Sequence, residues 1–189
     1  MNVFEQITSI DFSILMFIYE NIRSDFLNAV MPVLSHIGEY GLIWLTISIA
    51  CLFSKKTRGC GVAMLVSVVV SFLLGEVVIK NVVCRVRPCN YPEYSFIDML
   101  VSKPKGYSFP SGHTSSSFAA STVLFFYNKK WGTAALALAL LIGFSRLYNF
   151  VHFPTDVLCG MLFGILCAVI VCVVFRKYKV NDRLAGIKE

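Results

Sequence analysis

Four stretches of the chain, residues 61–79, 111–127, 133–151 and 154–175, are almost wholly apolar and long enough to be spanning helices. Each approaches the ~20 residues needed to cross ~30 Å of hydrocarbon. A fifth stretch, 33–53, is interrupted by His36, Glu39 and Gly41, which leaves its start open. Lipid offers no partner to a backbone N–H or C=O, so a spanning segment is either a helix or a strand of a closed barrel. Runs this continuous lack the alternation of barrel strands. The chain therefore reads as all-α: a polytopic transmembrane helical bundle of five to six spans, one domain over 1–189. Composition agrees, with 57% apolar residues, 15% charged residues and a mean hydropathy of +0.71. Soluble domains carry about 25% charged residues, so disorder and an ordinary water-soluble globule are excluded. At the N-terminus the apolar run 10–19 is too short to span and is surrounded by Glu5, Asp11, Glu20, Arg23 and Asp25. Residues 11–22 and 24–36 are predicted as two short helices, interfacial or tucked against the bundle. A signal peptide is not expected, because the first residues include Glu5 and no lysine.

A net charge of +6 would suit nucleic acid only as a basic face on a water-exposed domain. Here the basic residues fall in short clusters between apolar runs, so no nucleic-acid partner is expected. One side of the bundle carries Lys55, Lys56, Arg58, Lys129, Lys130, Arg176, Lys177, Lys179, Arg183 and Lys188 against Asp182 and Glu189. That side, with the C-terminus, is predicted to be cytoplasmic. The N-terminal segment, the loop from about 80 to 110 and the turn near His152 then lie on the extracytoplasmic side; five spans put the N-terminus outside, six put it inside. The seven cysteines include no C-x-x-C pair. Cys51, Cys159, Cys167 and Cys172 sit in apolar runs as small hydrophobes, and pairing of Cys84 with Cys89 is left open.

The extracytoplasmic helix ends carry charge where the topology predicts little. Lys80, Arg85 and Arg87 close one helix, His113 opens the next, Arg146 nears the end of another, and His152 and Asp156 bracket the start of the last. Ionisable residues at such places are functional candidates. Lys80 and Arg87 are two helical turns apart and share a face if the helix runs to Pro88; snorkelling cations at a helix end are the plainer alternative. Arg85 lies off that face, and Glu76 is placed as an i,i+4 partner of Lys80. Pro110-Ser111-Gly112-His113 suits a helix start, and a helix N-terminus offers free N–H groups to a phosphate; a plain capped helix is the alternative. Asp156, one turn after His152, can hold one ring nitrogen and leave the other free to attack, or form a merely structural contact.

Together these residues spell K-x6-R-P (Lys80, Arg87, Pro88), P-S-G-H (110–113) and S-R-x5-H-x3-D (Ser145, Arg146, His152, Asp156). The chain resembles the type 2 phosphatidic acid phosphatase superfamily, integral-membrane lipid phosphatases that share a site with vanadium haloperoxidases, and the likeness runs over about 33–175. The resemblance implies that His152 attacks phosphorus to give a phosphohistidine and that His113 protonates the leaving oxygen. It also implies that Asp156 orients His152, and that Lys80, Arg87, Ser111, Gly112 and Arg146 cradle the phosphate. No cofactor or metal is expected. The implied partner is a membrane-held lipid phosphate or diphosphate, with undecaprenyl diphosphate favoured and phosphatidylglycerol phosphate or phosphatidic acid as alternatives. The loop 89–109, with Tyr91, Tyr94, Phe96, Met99, Lys103 and Lys105, is read as a lid near the headgroup. Soluble haloperoxidases are disfavoured by the apolar spans, and a transporter or lipid binder has no need of two opposed histidines.

Overall fold

The computed structural model describes residues 2–180 together with Leu184. Asp182, Arg183, Lys188 and Glu189 of the basic C-terminal cluster lie outside the described residues. Among the described residues, seven helices longer than one turn follow one another: α1 Val3–Asn21, α2 Asp25–Ile37, α3 Leu42–Leu52, α4 Arg58–Val83, α5 Gly112–Tyr127, α6 Lys129–Tyr148 and α7 Pro154–Lys177. No strand occurs among the described residues.

Helices α4, α6 and α7 are long and apolar enough to cross a membrane, and α2 with α3 passes as a pair bent by 46°. That makes three spans, or four with the bent pair, by length and composition, fewer than the five to six expected. The remaining expected spans do not meet this length-and-composition criterion, for physical reasons. Helix α5 has only 16 residues and is rich in hydroxyls; Thr114, Ser115, Ser116, Ser117, Ser121 and Thr122 are all buried. It sits among α4, α6 and α7, so its partners are side chains, and lipid-length hydrophobicity is not required of it. The stretch 33–53 does not form one helix either. Tyr40 (φ 51°) and Gly41 (φ 68°) take left-handed backbone and turn the chain between α2 and α3.

Helix α1 starts at Val3, well before residue 11, because Asn2 and Glu5 form a reciprocal cap. Asn2 Oδ1 accepts from the Glu5 N–H at 2.9 Å, and Glu5 Oε2 accepts from the Asn2 N–H at 3.0 Å. Its acids Glu5, Asp11 and Glu20 set it apart from the spanning helices. Its inward stripe of Asp11, Phe12, Leu15 and Ile18 is buried at the i, i+3/i+4 spacing of one helical face, and α1 packs on α6 and α7.

The core gathers Trp44, Met64, Val68, Phe118, Val123, Ile142 and Val171 around α5. The Trp44 indole N–H donates to the Ser117 hydroxyl at 2.8 Å, so the buried polar handle is satisfied. α5 and α7 cross so closely that a Cβ on Gly164 would stand 2.3 Å from the Ser115 carbonyl oxygen. Gly164→Leu is therefore expected to cost about 3 kcal/mol by overpacking, read as a lowered melting temperature in detergent. Leu162→Val, at a side chain 56% exposed on the same helix, should leave that temperature unchanged.

Candidate active site

Four helix ends meet at one end of the bundle: the C-termini of α4 and α6 and the N-termini of α5 and α7. The α2–α3 break closes the side. They enclose a cavity of about 810 Å³ whose wall includes Lys80, Arg87, Gly112, His113, Arg146 and His152. Six of the eight residues singled out from the sequence thus share one cavity, although they span more than seventy positions of the chain. Ser111 and Asp156, both fully buried, stand behind that wall.

His152 lies in the turn between α6 and α7 and is 2% exposed. Its Nε2 is 3.1 Å from Arg87 Nη1. A guanidinium only donates, so Nε2 carries the lone pair and the ring proton sits on Nδ1. That nitrogen faces Asp156 Oδ2 at 3.6 Å, longer than a hydrogen bond, and has no hydrogen-bond partner of its own. Asp156 is held on both oxygens: Oδ2 accepts from the Phe153 N–H at 2.9 Å, and Oδ1 accepts from Arg85 Nη1 at 2.8 Å. Burial pushes the His152 imidazole well below its ordinary value, and the positive charges of Arg87, Arg146 and Lys80 push the same way.

Lys80, Arg87 and Arg146, the cations expected to hold phosphate, differ in how they are compensated. Lys80 Nζ donates to both carboxylate oxygens of Glu76 at 2.7 Å. Glu76 belongs to a π-helical turn, Leu73–Ile79, in α4, a form of winding often found at functional sites. Gly112 makes room for this carboxylate, since a Cβ there would meet Glu76 Oε1 at 2.2 Å. Arg87 and Arg146 form no ion pair among the described residues. Arg87 donates instead to the carbonyls of Gly106 (3.0 Å) and Val151 (3.1 Å), and burial lowers its pKa from the usual arginine value. Arg146 donates to the Ser35 hydroxyl on α2 and keeps a buried Nε without a partner. These two guanidiniums, 4% and 5% exposed, bring positive charge to the cavity wall without a carboxylate in direct contact among the described residues, while Glu39 and Glu76 of the same wall act at longer range.

Some expectations are corrected. The helix bearing Lys80 does not run on to Pro88; it ends at Val83, where Cys84 turns left-handed (φ 50°), so Arg87 reaches the cavity from extended chain. The Ser111 hydroxyl accepts from Thr114 Oγ1 at 2.9 Å, and the Ser111 N–H donates to the Asp156 carbonyl at 3.1 Å. The N–H thus ties the start of α5 to α7, while the hydroxyl is engaged within the first turn of α5, and Ser111 is not in the cavity wall. Of the loop expected to act as a lid, only Val101–Lys105 lines the cavity. Tyr94 stacks on Phe12 of α1 at 4.1 Å and Tyr91 meets the same ring edge-on at 5.1 Å. Cys84 and Cys89 are both free thiols.

Asp11, Thr155 and Ser35 were missed from the sequence, although Asp11 left a signal as a lone acid within an apolar run. Asp11 is 1% exposed; its Oδ2 accepts from Arg85 Nη2 at 2.7 Å and its Oδ1 from the Thr155 N–H at 3.0 Å. Among the described residues no three His, Cys, Asp or Glu side chains are grouped to hold a metal ion.

Residues 60–179 match the PAP2 superfamily. The chain belongs to that superfamily. It is 36% identical to the undecaprenyl-diphosphatase of Sulfolobus acidocaldarius over 140 residues, covering 73% of this chain and 66% of that protein. It is 32% identical to phosphatidylglycerophosphatase B of Bacillus subtilis, covering 77% of this chain and 73% of that one. The crystal structure of a transmembrane PAP2-type phosphatidylglycerolphosphate phosphatase from Bacillus subtilis superposes with a TM-score of 0.73 at 30% identity, over 91% of this chain and 87% of that one. The chain is thus an integral membrane protein of the lipid phosphatase class.

The depressed His152 gives a pH expectation. If His152 is the nucleophile, only its neutral ring can attack, and burial among cations keeps it neutral into acid. The acid limb of kcat/KM for a lipid phosphate should therefore fall below about pH 6.5, the ordinary imidazole value; a limb at or above that value contradicts the assignment.

Proposed function

We propose that this PAP2 phosphatase hydrolyses the phosphate or diphosphate ester of a lipid at the extracytoplasmic face through a phosphohistidine, with undecaprenyl diphosphate, giving undecaprenyl phosphate, as the leading substrate. The observation that carries the reading is the pair of unpaired guanidiniums, Arg87 and Arg146, in one wall with His152. Phosphoryl transfer spreads charge over three equatorial oxygens, so fixed cations supply much of the catalysis. Arginine can meet a phosphate with two parallel N–H bonds.

The lone pair on His152 Nε2 attacks phosphorus. The bond from phosphorus to the leaving oxygen breaks, and that oxygen takes a proton from His113. The new positive charge on the ring is shared toward Nδ1 and the Asp156 carboxylate. Water then attacks the phosphohistidine, gives its proton to His113, and the P–N bond breaks to release inorganic phosphate. Splitting one hard step into two is ordinary covalent catalysis.

The substrate preference rests on two supports: the undecaprenyl-diphosphatase relative, and Lys103 and Lys105 in the cavity wall, which favour a second phosphate. Phosphatidylglycerol phosphate is the second reading, supported by the Bacillus subtilis relative and its structural counterpart. The extracytoplasmic placement rests on Lys55, Lys56, Arg58, Lys129, Lys130, Arg176 and Lys177 clustering at helix ends opposite the cavity.

A phosphate-release panel on purified protein tests this. Undecaprenyl diphosphate should be turned over fastest, ahead of phosphatidylglycerol phosphate and phosphatidic acid, and activity should survive EDTA. His152→Ala should lose about 1,000-fold or more in kcat. Near wild-type turnover in that variant, or no phosphate from any of the three lipids, contradicts the proposal.

A further inference from the structure

Behind the cavity wall lies a second charged cluster that meets the phosphate chemistry only through Asp156. Arg85 is placed between two buried carboxylates, with Nη2 on Asp11 Oδ2 at 2.7 Å and Nη1 on Asp156 Oδ1 at 2.8 Å. Its guanidinium carbon also lies 4.0 Å over the Phe153 ring. Thr155 completes the cluster, its N–H on Asp11 Oδ1 and its hydroxyl shared between Arg85 and Asp11. Asp11 is 1% exposed and Asp156 fully buried, so water screens neither of them.

Charge counting shows what Asp11 does. If Arg85 met Asp156 alone, the pair would be neutral and would offer little to a ring becoming positive. With Asp11 included, the cluster keeps one net negative charge, placed 3.6 Å from His152 Nδ1. We infer that Asp11, on the N-terminal helix, is a positioning residue for phosphoryl transfer: it takes up the charge of Arg85 so that Asp156 stays anionic toward the His152 ring. The same carboxylate holds the Thr155 N–H, one of the free donors in the first turn of α7, and so fixes the helix that carries Asp156. Helix α1 thereby becomes part of the active site without reaching the cavity. This inference rests on the hydrolase reading given above.

The charged groups around His152 are Asp156 on α7, Arg87 after α4, Lys80 on α4, Arg146 on α6 and His113 on α5. Around Asp11 they are Arg85 and Asp156, with the Cys159 thiol nearby. Only the second group changes charge in the following variants. Asp11→Asn keeps an oxygen for the Thr155 N–H, removes the charge, and puts an NH2 in place of the oxygen that accepts from Arg85 Nη2 and the Thr155 hydroxyl. It should lower kcat on the wild-type's best lipid phosphate about tenfold or more, the worth of one pK unit or more. KM should change little, because Arg87, Arg146 and Lys80 are untouched. The acid limb of kcat/KM should move to lower pH, since a more positive surrounding disfavours the protonated ring. Asp11→Asn combined with Arg85→Gln restores one net negative charge on Asp156, and should recover kcat to within a fewfold of wild type and return the limb.

Wild-type kcat and an unmoved limb in Asp11→Asn overturn the inference. So does a double variant as slow as the single one, since the role is then structural and not electrostatic. Should Asp11→Asn fail to purify folded, the double variant decides alone: near wild-type kcat and limb support the inference, and a loss of tenfold or more overturns it. Wild-type protein that releases phosphate from no lipid would sink the hydrolase reading instead, a separate outcome.

Discussion

Two buried arginines without carboxylate partners organise this molecule. Moving a cation out of water costs several kcal/mol unless hydrogen bonds or an opposite charge replace its hydration. Arg87 and Arg146 have carbonyl and hydroxyl partners that meet part of that need, but no directly paired carboxylate among the described residues. In the proposed reaction, a phosphoryl group entering the cavity supplies the missing charge. Because it gains most where its oxygens are most negative, the same cations favour the transition state over the ground state. The neighbouring His152 Nε2 is then held at the centre of the field.

Such a site needs a stiff frame, and the frame explains the less apolar parts of the sequence. α5 is short and hydroxyl-rich because its neighbours are helices on several sides. Its close crossing with α7 fixes the P-S-G-H turn against Asp156 through the Ser111 N–H. The anionic side of the site is as ordered as the cationic side. Glu76 secures Lys80, while Asp11 and Asp156 share Arg85. The helix most distant in sequence from the motifs, α1, is thus bound to them by buried charge and by the Phe12 stack with Tyr94.

The sequence revealed the members of the cavity wall better than their geometry. Lys80, Arg87, His113, Arg146 and His152 could be read as one group because charge at the ends of apolar helices is costly wherever it has no use. The end of α4 at Val83 could not be read, because it depends on a non-glycine left-handed residue, Cys84, that no turn dipeptide announces. The five to six spans are not confirmed, since length and composition admit three or, with the bent pair, four, and hydropathy cannot tell a helix wrapped by protein, such as α5, from one facing lipid. The Glu76–Lys80 pair was legible as a local i,i+4 contact. The Asp11–Arg85 bridge was not, since its partners are 74 residues apart and only tertiary packing joins them.

At the centre of this account is His152 Nε2 as the atom that receives the phosphoryl group. Rapid mixing of the protein with undecaprenyl diphosphate, a quench in base where phosphohistidine survives, and mass spectrometry of the peptides test it directly. The account predicts a transient peptide carrying His152 and one added phosphoryl group, formed and lost at rates that match phosphate release. Phosphate release through single turnovers with every histidine-bearing peptide unmodified would contradict it.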